Sequence, residues 1–209
     1  MSPDSFALRK FALPDGVRVR VASPGAATVY QVPKGSEWLR DFASDLDSGL
    51  FGELPKLPPE VAELLPDVQR AIVGSGLAGA LGFLNARVPH RFTALYRLDG
   101  MVLRNVGVFD KHKHLDALDL RVVPLKDSFC QFVLRDGLFV TQASGSDPRL
   151  IGHPYAGAVN CYVGVPVEGP RGLRGTLCHF DTADHTLPDL EYLLLSHVAH
   201  MLAPYLDAL

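Results

Sequence analysis

The chain has 209 residues, 47% hydrophobic and 21% charged, a composition that suits a globular protein with one sizeable core and a smaller extra segment. Its 20 basic and 23 acidic side chains are spread along the sequence for a formal charge of -3, so it lacks the basic footprint that binding to a phosphate backbone requires. No basic segment followed by an apolar run opens the sequence, and the most apolar stretch, 71–84, is too short to cross a hydrocarbon core and is interrupted by Gly74, Ser75, Gly76, Gly79 and Gly82. A cytoplasmic location is therefore expected, with neither nucleic acid nor membrane among the partners. The three cysteines, Cys130, Cys161 and Cys178, are odd in number and widely spaced, as free thiols in a reducing compartment would be.

In chain order, residues 1–57 read as an arm or small subdomain and residues 58–209 as the main domain. The arm has short β-like pieces at 17–21 and 28–32, separated by turn residues such as Pro14, Gly16, Pro24 and Gly25. Trp38, Leu39, Phe42, Leu46 and Leu50 then recur at helical steps over 35–51, and the proline-rich 54–59 reads as a linker. From Pro59 the residues Val61, Leu64, Leu65, Val68 and Ile72 mark one side of a helix, which Pro66 should kink or restart. Ser75 is placed to cap a second helix carrying Leu77, Leu81, Leu84 and Val88 and ending at Pro89.

A hairpin follows, with strands at 92–98 and 101–109 turning on Asp99 and Gly100, a pair that tolerates positive φ angles. After a polar connection at 111–119 come a third strand at 120–125, a short helix capped by Asp127 or Ser128 that carries Cys130 and ends at Gly137, and a strand at 138–141. Residues 143–154 form a loop dense in Gly, Ser, Asp and Pro, the kind that carries function. A second hairpin joins 160–167 to 173–180 across 168–172, and Thr186 with Asp189 signals a capping box for a final helix bearing Leu190, Leu194, Val198 or His197, Met201 and Tyr205.

The ordered set RFTALYRLDG (Arg91 to Gly100), DSFCQFV (Asp127 to Val133), SDPRL (Ser146 to Leu150), YVGVP (Tyr162 to Pro166) and GTLCHFD (Gly175 to Asp181), closed by an amphipathic helix, resembles the GAF domains of bacterial sensor kinases and cyclic-di-nucleotide enzymes over residues 59–208. The resemblance implies an α+β fold: a central antiparallel sheet of five or six strands, with helices from both ends of the domain on one face. It also implies a ligand cavity on the other face, roofed by residues 127–135 and 143–160. Relatives of this kind bind cyclic nucleotides, bilins, haem, small anions or amino-acid-like molecules, so the fold leaves the ligand and any cofactor unknown.

The residues do not select among the special chemistries of that family. The cysteine surroundings SFCQF, NCYVG and TLCHF do not match the segments of free methionine-(R)-sulfoxide reductases, and Cys130 and Cys178 read as small packing residues. Cys178-His179 lies in a strand, where a bilin-attaching pair would not, and Phe109, Asp110 and Lys111 lack the signature of cyclic-nucleotide binding. His112 with His114, or His197 with His200, has no third metal ligand nearby. No catalytic constellation stands out.

The expected ligand-binding residues follow from position. Alternation along 160–166 puts Asn160, Tyr162 and Gly164 on one face and Cys161, Val163 and Val165 on the other. Thr93, Tyr96, Phe109, Phe129, Tyr155, Tyr162 and Cys178 join Asn160 and Cys130 as lining of a half-apolar cavity with a few polar handles. Arg149 is included for the planar fork it could offer a carboxylate, against an exposed loop position. The sequence thus predicts a small-molecule-binding sensory domain that signals as a homodimer through helix 59–88 or 187–208, or through a partner protein. A GAF-fold enzyme such as free methionine-(R)-sulfoxide reductase, and a ligand-free interaction module, are the alternatives.

Overall fold

The computed structural model describes residues 18–20, 29–31, 57–112, 121–169 and 172–207. The chain separates into two units, Met1–Pro58 and Pro59–Leu209. In the first, β1 (Arg18–Arg20) pairs antiparallel with β2 (Val29–Gln31), each inside a β-like piece expected from the sequence. The expected Trp38 helix and residues 113–120 of the polar connection lie outside the described residues.

The second unit opens with α1 (Pro59–Ala62) and α2 (Leu65–Ala86). Pro66 sits in the first turn of α2, where its missing N–H has no intrahelical partner to lose, so it restarts the helix. Inside α2 the backbone leaves helical geometry at Ser75 and Gly76, and Gly76 has a φ of 58° that only glycine adopts freely. The break falls where the sequence placed a new helix start.

Six strands follow: β3 (Phe92–Asp99), β4 (Val102–Asp110), β5 (Val122–Pro124), β6 (Phe139–Thr141), β7 (Cys161–Gly169) and β8 (Gly172–Asp181). They form one sheet in the order β5-β4-β3-β8-β7-β6, with every neighbouring pair antiparallel. The short α3 (Cys130–Asp136) ends at Gly137, whose φ of 81° closes the helix, and α4 (Asp189–Asp207) ends the unit. The α+β architecture expected from the resemblance is present.

Two local expectations are corrected. Asp99 pairs with Val102, so the first hairpin turns on Gly100 and Met101 instead of Asp99 and Gly100, and Gly100 takes a positive φ of 60°. The carbonyl of Pro188 receives the N–H groups of Glu191 and Tyr192, so α4 starts at Asp189 and Thr186 caps nothing in it.

The two faces of the sheet have different partners. α2 packs on β3 and β4, and α4 packs on β7 and β8. This side buries Leu95, Val163, Val165 and Leu177. Arg87 at the end of α2 grips Glu191 at the start of α4, with Nε donating at 2.9 Å and Nη2 at 2.5 Å. The opposite face carries a second core in which Phe92, Ala94, Tyr96, Tyr162 and Phe180 pack with Phe129 and Val133 of the α3 region.

A bulge decides which side chains reach that second core. Leu95 faces Gly107 across the β3–β4 ladder while Tyr96 faces Asn105, which leaves Val106 as an extra residue on β4. Beyond it the alternation of β4 is inverted, so Leu103 and Phe109 point to opposite faces even though both are odd-numbered.

Candidate functional site

Between the second face and its lid lies a cavity of about 90 Å³. The sheet supplies Tyr96, Leu103, Tyr162, Cys178 and Phe180. Val123 closes the β5 side, Ser128, Phe129 and Cys130 descend from the segment entering α3, and Tyr155 and Val159 come from the long loop. None of these residues is Lys, Arg, His, Asp or Glu, and the polar handles are hydroxyls and thiols.

The lid is held by its own hydrogen bonds. Within loop 143–160, the Ser144 hydroxyl donates to the Val159 carbonyl at 2.6 Å and accepts from the Gly157 N–H at 2.8 Å. Gly157 has a φ of 76°, and its Cα faces Gly145 closely, so two small residues let the loop fold on itself. Two 3-10 turns, Ser144–Ser146 and Pro148–Leu150, shape the first half, and Leu150 anchors it in the core. On the α3 side, the Phe129 ring meets Tyr162 edge-on at 5.6 Å and lies 4.6 Å from His153.

At the floor, Tyr162 is 4% exposed and its hydroxyl lies 3.2 Å from Cys130 Sγ. Gly164, two residues along the same face of β7, makes room for this ring. A Cβ there would meet the Tyr162 hydroxyl oxygen at 2.4 Å and ring carbons at 2.7 and 2.8 Å. Burial pushes the Tyr162 and Tyr96 phenols well above their ordinary range, so both stay protonated and able to donate. Cys130 also accepts from the Thr176 hydroxyl at 3.2 Å. The nearby Cys178 thiol, first, and then the Thr176 and Tyr162 hydroxyls hold the Cys130 pKa below the usual thiol range, against its burial. Burial and the neighbouring Cys130 push Cys178 the other way.

Of the ten residues expected to bind ligand, the structure gathers Tyr96, Phe129, Cys130, Tyr155, Tyr162 and Cys178 around one cavity. It places the other four elsewhere. Thr93 and Phe109 stand opposite each other on the helix side of the sheet, where Thr93 bonds Asn85 and His179 and the Phe109 ring lies against Gly82 of α2. Arg149 is turned outward, with its guanidinium on the Asp147 carboxylate and the Val140 carbonyl and stacked over Phe139. Asn160 precedes β7 and links the loop to the sheet through its backbone, its N–H to the Asp181 carbonyl and its carbonyl to the Ser144 N–H.

Leu103, Val123, Ser128, Val159 and Phe180 line the cavity without having been expected there. Phe180 was within reach of the sequence, since it shares the alternation of Cys178 on β8. The third thiol, Cys161, has the opposite parity to Tyr162, is fully buried and is pushed up to about 11 by that burial.

No family model matches the sequence. A segment of 90 residues, 40% of this chain, is 32% identical to a cyclic di-GMP phosphodiesterase of Pseudomonas aeruginosa, and the match spans 15% of that protein. Among solved structures, the GAF domain of an Acinetobacter phosphoenolpyruvate-protein phosphotransferase superposes with a TM-score of 0.58 at 13% identity, covering 73% of this chain and 96% of that one. A free methionine-R-sulfoxide reductase from Neisseria meningitidis, solved in complex with its substrate, superposes with a TM-score of 0.56 at 16% identity, covering 71% of this chain and 89% of that one. The described residues of the second unit therefore have the GAF fold, an architecture that the phosphotransferase domain and the sulfoxide reductase share. Among the described residues, no helix is long and apolar enough to cross a membrane.

Proposed function

We propose that this GAF domain is a sensory module whose cavity takes a small, uncharged, hydrogen-bonding molecule. The observation that carries the proposal is the composition of the cavity wall: apolar and aromatic surface with the Tyr96, Tyr155 and Tyr162 hydroxyls and no basic or carboxylate side chain. An anion would give up its hydration without a cation to replace it, which costs several kcal/mol. The volume of about 90 Å³ is well below the roughly 300 Å³ at which drug-sized sites begin, so a bilin or a cyclic dinucleotide does not fit the cavity as it stands. The hydrolysis named for the Pseudomonas relative is accordingly no part of the proposal.

Binding would bias the lid, and α2 or α4 would pass the change to a second copy of the chain or to another protein. The test is thermal unfolding of the full chain with a panel of small alcohols and amides, set against nitrate and formate. A saturable rise in Tm with an uncharged compound, reduced in Tyr162→Phe, supports the reading, because a ligand of the folded state alone stabilises it by mass action. A rise with the anions only, or with nothing in the panel, contradicts it.

A second reading, reduction of free methionine-(R)-sulfoxide, draws support from the two thiols that share the cavity and from the fold in common with the Neisseria enzyme. Turnover of that sulfoxide with a thiol reductant tests it, and its absence removes it.

A further inference from the structure

His153 lies half-buried in the lid loop and is not itself a lining residue of the cavity, but it touches two residues that are. Its Nδ1 accepts the Tyr155 N–H at 3.2 Å, and its ring centroid is 6.3 Å from that of Tyr155. It also packs against the α3 region, 4.6 Å from the Phe129 ring and 5.9 Å from the Phe132 ring, with Nε2 3.4 Å from Gln131 Nε2. Tyr155 lines the cavity from the loop and Phe129 lines it from the α3 side. One imidazole therefore joins the two halves of the lid.

The sequence shapes this junction locally. Pro154 has no N–H, so Tyr155 offers the first backbone donor after His153, and the ring takes it as an Asn or Asp side chain does in a turn. An Nδ1 that accepts leaves the proton of the neutral ring on Nε2. A second proton can go only to Nδ1, where it would meet the Tyr155 N–H donor to donor. Burial lowers the His153 pKa below the usual imidazole range, although the Asp127 carboxylate in the turn before α3 pulls the other way. The other groups facing the ring are Phe129, Phe132 and Gln131, which do not titrate, and the Tyr155 phenol of its own loop.

We propose that His153 is a proton-operated latch on the cavity: neutral, it holds the loop half of the lid to the α3 half, and protonated, it releases Tyr155 and opens the cavity. The inference rests on the sensory reading for what the opening admits, but its test uses no ligand, so either can fail without the other. The closed lid takes up a proton less readily than the open one, whose imidazole titrates near the ordinary 6.5 or so. Opening is therefore constant well above that pH and grows as the pH falls below it, by at most about ten-fold per unit and only until the closed form itself is protonated.

The test is amide hydrogen exchange of the full chain, with each rate divided by that of an unstructured peptide at the same pH. Between about pH 7.5 and 5 the Tyr155 amide should lose at least about three-fold in protection. The Gly157 amide, held inside the loop by the Ser144 hydroxyl, should keep its own. His153→Asn retains an acceptor for the Tyr155 N–H and does not titrate, so its profile should be flat, whereas His153→Phe keeps a ring without the acceptor and should leave Tyr155 poorly protected throughout. Access to the cavity is read from alkylation of Cys130 by a neutral reagent, as the ratio of parent to His153→Asn, which cancels the titration of the thiol. That ratio should rise by a similar factor as the pH falls. A flat parent profile, a His153→Asn profile that follows the parent's, or an alkylation ratio that does not change with pH would overturn the proposal.

Discussion

The Thr93 hydroxyl and Nδ1 of His179 lie 2.7 Å apart on the helix side of the sheet, both residues buried. Asn85 of α2 completes the group by donating to Thr93 Oγ1 at 2.8 Å and to the carbonyls of His90 and Arg91 at 3.2 Å each. This is the polar seam between α2 and the sheet, and breaking it strands buried groups without partners. Thr93→Val should lower stability by about 1–3 kcal/mol in urea unfolding, without altering the cavity on the other face.

The same seam sets an acid limit. Burial, with repulsion from His185, lowers His90 to about 4, and burial, with repulsion from His90, lowers His179 to about 3, although Asp181 beside them pulls His90 the other way. Unfolded histidine titrates near 6.5, so as the pH falls below that value the unfolded chain takes up protons that the folded chain refuses. Stability should therefore be flat in this respect above pH 7 and fall by about 1.4 kcal/mol per pH unit for each buried imidazole between roughly pH 6 and 4. Tm measured over that range checks the slope. In His90→Gln the slope should be shallower, and an unchanged slope would contradict this assignment.

Asp110 closes the start of the first hairpin. Its carboxylate receives Nε of Arg91 at 2.7 Å and Nη2 at 2.9 Å, and it also accepts the His112 N–H at 2.9 Å. The Asp110 side chain is 1% exposed, so the pair is shielded from solvent screening on the acid side. Asp110→Ala should cost about 2–4 kcal/mol, more than disruption of the exposed pair of Arg104 and Asp99, which water screens. Parallel denaturation curves of the two variants make the comparison.

Gly164 is where the cavity floor and the strand compete for space. Gly164→Ala forces the Tyr162 ring from its place and should cost about 1–3 kcal/mol by overpacking. In a Tyr162→Leu background the same change should cost less, so the double-mutant cycle should show a coupling of at least about 0.5 kcal/mol. Additive effects would mean that the ring and the glycine are not in contact.

The hairpins were legible in the sequence because alternation and turn chemistry agree over 92–110 and 160–181, and the helix break at Ser75 and Gly76 showed in the same way. What the sequence hid was parity. Thr93 and Tyr96 are an odd number of residues apart on one strand, so they face opposite sides, and the bulge at Val106 that carries Phe109 to the helix side leaves no mark in a run of apolar residues. The neighbours of Arg149 were unreadable for a different reason. Its bond to the Val140 carbonyl and its stacking on Phe139 depend on how the loop returns to β6, a tertiary relationship with no local pattern. The two cavity thiols were visible as letters, but nothing in their spacing brings α3 against β8.

The account depends most on a hollow between the sheet and its lid that admits small uncharged matter, and xenon is the probe with the fewest other ways to bind. Amide spectra of the isotopically labelled full chain under xenon pressure should show saturable shifts concentrated at Tyr96, Phe129, Cys130, Tyr162 and Cys178, with Leu95, Val163 and Leu177 on the helix side unmoved. Shifts concentrated between α4 and the sheet, or no saturable shift at any of the five cavity positions, would contradict it.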